Sequence, residues 1–129
     1  MQKEEAEFNF ALKHAALAHD RRLRKHVLAV LYELRISLSG WTGAIALRDT
    51  IGSVMPPDEG FVNDDHCIGI CRDLTISGFT EERLNQRRRG NKFGLKWLEY
   101  RITMAGLALV TESAPPNPLV DDDRVQIPR

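Results

Sequence analysis

Apolar residues recur at helical spacing through the first half of the chain. From Gln2 to about His19 there is no Gly or Pro, and Phe8, Leu12, Ala15, Ala16 and His19 follow at steps of three and four, which predicts an amphipathic helix. Leu23, Val27, Val30, Leu31 and Leu34 form a cleaner stripe behind Asp20, a residue suited to cap a second helix; one bent helix would carry both stripes equally well. Ser39-Gly40 ends this region, and Trp41-Thr42, between two glycines, has room only for a turn or a two-residue strand. Ala44, Leu47, Ile51 and Val54 then predict a short helix that stops at Met55-Pro56-Pro57. After a loop from Asp58 to Val62, Asn63-Asp64 signals a further helix with core stripe Cys67, Ile70, Cys71 and Leu74, running to Ser77 before Gly78.

Past Phe79 the period falls to two. Leu84 in a first strand, and Leu98, Tyr100 and Ile102 in a second, alternate with polar residues as a half-buried antiparallel hairpin requires. Its strands are expected over Phe79 to Arg87 and Leu95 to Ile102, joined through Arg88-Arg89-Gly90-Asn91-Lys92. Thr103 is placed to cap a last helix from Met104 to Val110. Beyond Ser113, Ala114-Pro115-Pro116-Asn117-Pro118 and the Asp121-Asp122-Asp123 run read as a tail with no core of its own. The expected fold class is mainly α with a small antiparallel β-hairpin, α+β, divided into an arm over 1–20, a folded domain over 21–112 and a tail over 113–129.

Composition narrows the class. A chain of 129 residues buries about two-thirds of its unfolded surface and needs no metal or disulfide to stand alone. With 43% apolar and 28% charged residues it falls among soluble globular proteins. The first ten residues hold three glutamates and no signal-peptide pattern, and the longest apolar run, Val27 to Tyr32, is too short for a bilayer; a cytoplasmic location without membrane contact is expected. Net charge is zero but unevenly spread. Residues 21–35 and 80–101 each carry +4, and the stretch between, 36–79, carries −4. A polyanion is therefore expected to approach the hairpin and the second helical stripe.

The order helix, short strand, helix, helix, strand, basic turn, strand, helix resembles the winged helix-turn-helix regulators of the MarR and PadR kind. Its most specific local piece is Tyr100-Arg101-Ile102-Thr103-Met104-Ala105-Gly106-Leu107-Ala108-Leu109, similar to the strand-then-Thr-x-x-Gly joint leading from the wing to the next helix in those families. The resemblance covers roughly residues 21–112. It implies a winged helix-turn-helix with an extra amino-terminal helix, a recognition helix over Asp64 to Ser77, a wing tip over Arg87 to Lys92, and an amino-terminal dimerisation arm. The other expectation for the arm is that it folds back over the Trp41 side of its own core.

Residue chemistry points the same way at the wing. Arg87, Arg88, Arg89 and Lys92 at a protruding turn suit phosphates or the edge of the minor groove, with Arg83, Lys96 and Arg101 extending the patch and Trp97 available to stack on an arginine. The plain alternative is a basic turn that keeps an exposed hairpin soluble. On the expected recognition helix the outward face carries Asp65, Gly69, Arg72, Asp73 and Ile76, with His66 at its margin. Arg72 suits guanine, Thr75 the groove and Ile76 a thymine methyl, but the aspartates oppose phosphate.

Cys67 and Cys71 fall on the buried stripe, so His66, Cys67 and Cys71 read as core and margin, with no metal or other cofactor expected. His14, His19 and His26 read as surface or packing residues. No phosphate loop, His-Glu-x-x-His or Gly-x-Ser-x-Gly occurs, and no enzymatic activity is expected. The function expected is a dimeric regulator of transcription that binds double-stranded DNA through Arg72, Thr75, Ile76, Arg83, Arg87, Arg88, Arg89 and Lys92, paired as a homodimer through the amino-terminal helix. The alternative is a winged-helix module whose acidic third helix docks a basic protein partner. A small-molecule sensor with a pocket between arm and core is compatible with the first reading.

Overall fold

A computed structural model of the chain describes residues 2–36, 40–84 and 97–121, with side chains from residue 17 onward. Among the described residues it is α+β, with four helices and a three-stranded antiparallel sheet, a layout compatible with a winged helix. The helices are α1 (Gln2–Glu33), α2 (Ala44–Val54), α3 (Asp64–Ile76) and α4 (Met104–Val110); the strands are β1 (Thr42–Gly43), β2 (Thr80–Leu84) and β3 (Leu98–Ile102).

The two amino-terminal stripes belong to one helix. At 1.5 Å per residue the 32-residue α1 is about 48 Å long. Asp20 therefore caps nothing; it sits inside the helix, and its carboxylate serves His66 instead, at 2.8 Å. From the carboxyl-terminal half of α1, Leu23, Val27, Leu28 and Leu31 enter a core completed by Ala44, Leu47, Ile51, Cys67, Ile70, Cys71, Leu74, Leu98 and Tyr100. Each large aliphatic side chain removed from water here contributes about 1.5–3 kcal/mol. Three expected core members lie outside it: Leu34, Val54 and Leu84 are exposed at 36%, 62% and 44%. Val54 and Leu84 are the last residues of their elements, and Leu34 lies one residue beyond α1.

The helix boundaries follow local chemistry. Asn63 Oδ1 accepts the His66 N–H at 2.8 Å and caps α3, and Thr103 Oγ1 accepts the Gly106 N–H at 3.1 Å and caps α4. Gly78 follows α3 with φ +87°, a left-handed turn that glycine adopts without steric cost. The sheet order is β1-β3-β2, so Trp41-Thr42 introduces an edge strand rather than a free turn, and the expected hairpin is a three-stranded sheet. Thr80, Glu82 and Leu84 face Ile102, Tyr100 and Leu98 across β2 and β3, and Thr42 faces Tyr100 from β1.

The segment after α4 also joins the fold. Val120 is buried, and Arg21 and Arg24 donate from their Nε atoms to the Pro118 and Leu119 carbonyls at 3.0 and 2.7 Å. Around Val120 the segment is thus tied to α1, while Pro115 and Pro116 remain exposed.

Candidate nucleic-acid interface

Sheet register decides which side chains share a surface. Glu81 opposes Arg101 and Arg83 opposes Glu99, on the face opposite the core. Arg83 Nε donates to Glu99 at 2.7 Å, and Arg101 Nε to Glu81 at 3.1 Å. Both guanidinium groups also lie over the ring of Trp41, at 4.2 and 4.6 Å from its centre. Trp97, the expected stacking partner, is itself buried, at 6% exposure. Trp41 was legible only through register: β1 pairs Thr42 with Tyr100, which turns the preceding residue to the arginine face.

The expected recognition helix carries its side chains as the 100° step implies. Cys67, Ile70, Cys71 and Leu74 are buried, while Asp65, Gly69, Arg72, Asp73 and Ile76 are exposed, Ile76 at 85%. Arg72 Nε donates to Glu82 Oε2 at 3.2 Å, and the buried Tyr100 hydroxyl donates to the same oxygen at 2.6 Å. The hydroxyl of Thr75 lies 2.8 Å from that of Thr80 and 3.2 Å from the Cys71 carbonyl, so local partners already occupy it. Asp73 pairs with Arg24 at 3.2 Å and Asp64 with Arg48 at 3.0 Å. The structure therefore matches Arg72, Arg83 and Arg101 with Glu82, Glu99 and Glu81, and among the described residues no cation of α3 or of the strands stands apart from an acid. Arg87, Arg88, Arg89 and Lys92 lie outside the described residues. They belong to the connection that follows the last ladder pair, Leu84 with Leu98.

Two further clusters complete the surroundings. His19 Nε2 donates to the Glu59 carbonyl at 2.8 Å. His66 Nδ1 accepts the Val62 N–H at 3.0 Å, which leaves its ring proton on Nε2 for Asp20. These histidines fasten the α2–α3 loop to α1. Cys67 and Cys71 are buried free thiols, and the hydrogen bond with Cys67 together with burial holds the Cys71 thiol well above its ordinary range. Among the described residues no group of three or more His, Cys, Asp or Glu is placed to hold a metal ion, and no helix is long and apolar enough to cross a membrane. Comparison with protein-family models, curated proteins and solved structures found no match.

Proposed function

We propose that the chain is a winged-helix DNA-binding regulator of transcription that grips duplex DNA chiefly through the connection between β2 and β3, and that two copies pair through the amino-terminal half of α1. The observation that carries this reading is the division of charge. The described cations of α3 and of the strands are matched to Glu81, Glu82 and Glu99, whereas residues 85–96 hold Arg87, Arg88, Arg89, Lys92 and Lys96 and no acid. Unmatched cations release condensed counterions from phosphates; matched ones must first give up a carboxylate. Element order supports the same reading, because α3 leads through three residues into β2 and the connection lies at the far end of that hairpin. Arg72 and Ile76 then meet the groove as secondary contacts. Pairing is supported by the continuity of α1, which has no break at which the arm could fold back over Trp41.

Titrating duplex DNA against the chain from 50 to 300 mM salt tests the reading. The log-log slope should correspond to about four phosphate contacts, of the order of −4. Absence of duplex binding at 50 mM salt discards it and favours the protein-docking module. The exposed face of α3 gives that second reading its support, since Asp65 and the Glu82-bound Arg72 offer little to phosphate.

A further inference from the structure

The loop joining α2 to α3 is long for a helix-turn-helix and is tied down at several points. Met55 N–H bonds to the Ile51 carbonyl, Glu59 N–H to that of Pro56, His19 holds the Glu59 carbonyl, and Val62 is held by His66. Between this loop and the two helices lies a cavity of about 280 Å³, walled by Gly52, Met55, Pro56, Pro57 and Phe61, with Arg48 and Asp64 among its polar lining. Val54 and Val62, neighbours in sequence to that wall, are exposed at 62% and 76%. Sites for whole small molecules run to roughly 300–1,000 Å³, so this one suits a single inserted side chain.

Charge says what accompanies that side chain. Arg48 is held by Asp49 and Asp64, and the span 48–65 sets that one cation against Asp49, Asp58, Glu59, Asp64 and Asp65, a net −4. The fitting occupant is an apolar residue flanked by cations. The chain itself contains such a segment: residues 85–96 combine five cations with Phe93 and Leu95 and hold no acid. We propose that the cavity between α2 and α3 receives the 85–96 segment of a second copy of this chain, an apolar side chain entering the cavity and the cations meeting the surrounding carboxylates. Two different patches meet in this contact, so it is heterologous and adds copies head to tail beyond any twofold pair. Duplex DNA, if it engages the same cations, competes with it.

Sedimentation of the full chain from a few to several hundred micromolar at low salt tests the contact, with Gly52→Leu and Arg88→Glu as variants. A Cβ at Gly52 meets nothing within 4 Å, so leucine there enters the cavity and also favours the helix. The wild type should grow in mass beyond two chains, and either variant, or 0.5 M salt, should weaken that growth at least tenfold. Excess synthetic peptide of residues 85–96 should suppress it, and this arm decides the matter if Gly52→Leu fails to fold. A wild-type mass that never exceeds two chains overturns the proposal. So does growth that survives Gly52→Leu, Arg88→Glu or the peptide. Duplex binding by Gly52→Leu, measured below the assembly range, should match the wild type, so this proposal and the DNA reading fail separately.

Discussion

The joint between β3 and α4 and the connection between β2 and β3 are the two most conspicuous stretches of the carboxyl-terminal half, the first without a charge from 102 to 111 and the second with five cations over 85–96. At the joint every polar atom of Thr103 has an internal use, its carbonyl accepting the Leu107 N–H at 2.8 Å. Thr103 donates its N–H to the Phe79 carbonyl at 3.1 Å and its hydroxyl to that of Gly78 at 2.6 Å, while its Oγ1 caps Gly106. Gly106 has no space for a side chain: a Cβ there would collide with the Phe79 carbonyl oxygen and come within 2.8 Å of Ile102 Cγ1. The Thr-x-x-Gly string is thus a packing device that locks the turn after α3 onto the start of α4. The connection contributes five cations that match no acid of their own stretch. A motif consumed by the fold, as the joint is, reports architecture.

Substitutions that exchange these roles break the comparison where it is weakest, and the largest effect belongs to the joint. Gly106→Ala should cost about 3 kcal/mol or more, because the obstructing atom is backbone and cannot swing aside. Urea unfolding measures it; a loss under about 1 kcal/mol would mean that the turn at Gly78-Phe79 yields, and the joint is then no lock. Reversing Arg87, Arg88 and Arg89 to glutamate should do the converse. Unfolding should shift by no more than about 0.5 kcal/mol, as for surface changes in general. Duplex binding should collapse and its salt slope fall by about three, one per lost phosphate contact. Unchanged binding would remove the connection from the interface.

How much of this was legible depends on whether a signal was local. The start of α3 at Asn63, the cap at Thr103 and the buried stripe Cys67, Ile70, Cys71 and Leu74 were readable because caps and helical periods act within a turn or two. Asp20 misled because a good capping residue stops a helix only where the helix has no other reason to continue; here His66, 46 residues away, uses the carboxylate. Trp41 was passed over because its role depends on the pairing of β1 with β3, a register that no short window contains. The cations of 83 and 101 looked like an extension of the basic patch, and only the cross-strand partners Glu99 and Glu81 show that they are matched. The burial of Val120 was invisible in a stretch of prolines and acids, because it rests on two arginines of α1 that reach the backbone beside it.

A smaller effect separates core from interface at the cysteines of α3. Both thiols are buried, at 0% and 1% exposure, so replacing Cys67 and Cys71 together with alanine should cost about 1–3 kcal/mol through the cavity left behind. Metal analysis of the native protein should find no stoichiometric zinc; one zinc per chain would assign the pair to a site and not to packing.

The smallest effect tests the link between the two regions, the chain Tyr100–Glu82–Arg72 that runs from the core to the surface of α3. Burial, and then the hydrogen bond to Glu82, hold the Tyr100 phenol far above its ordinary value. In the unfolded chain a tyrosine ionises near pH 10. The neutral folded form therefore contributes stability that is fully present below about pH 10 and is lost as pH rises beyond it, because only the unfolded state gives up the proton there. Unfolding free energy measured between pH 8 and 11.5 should accordingly bend downward above about 10. Tyr100→Phe should remove its part of that bend while lowering stability at neutral pH by about 1.5 kcal/mol, the lower end of what a hydrogen bond to a charged acceptor contributes. If Tyr100→Phe leaves the bend intact, the Tyr100 hydroxyl does not serve Glu82, and Arg72, as the remaining donor to that carboxylate, is less free to leave it for a phosphate than the shared geometry implies.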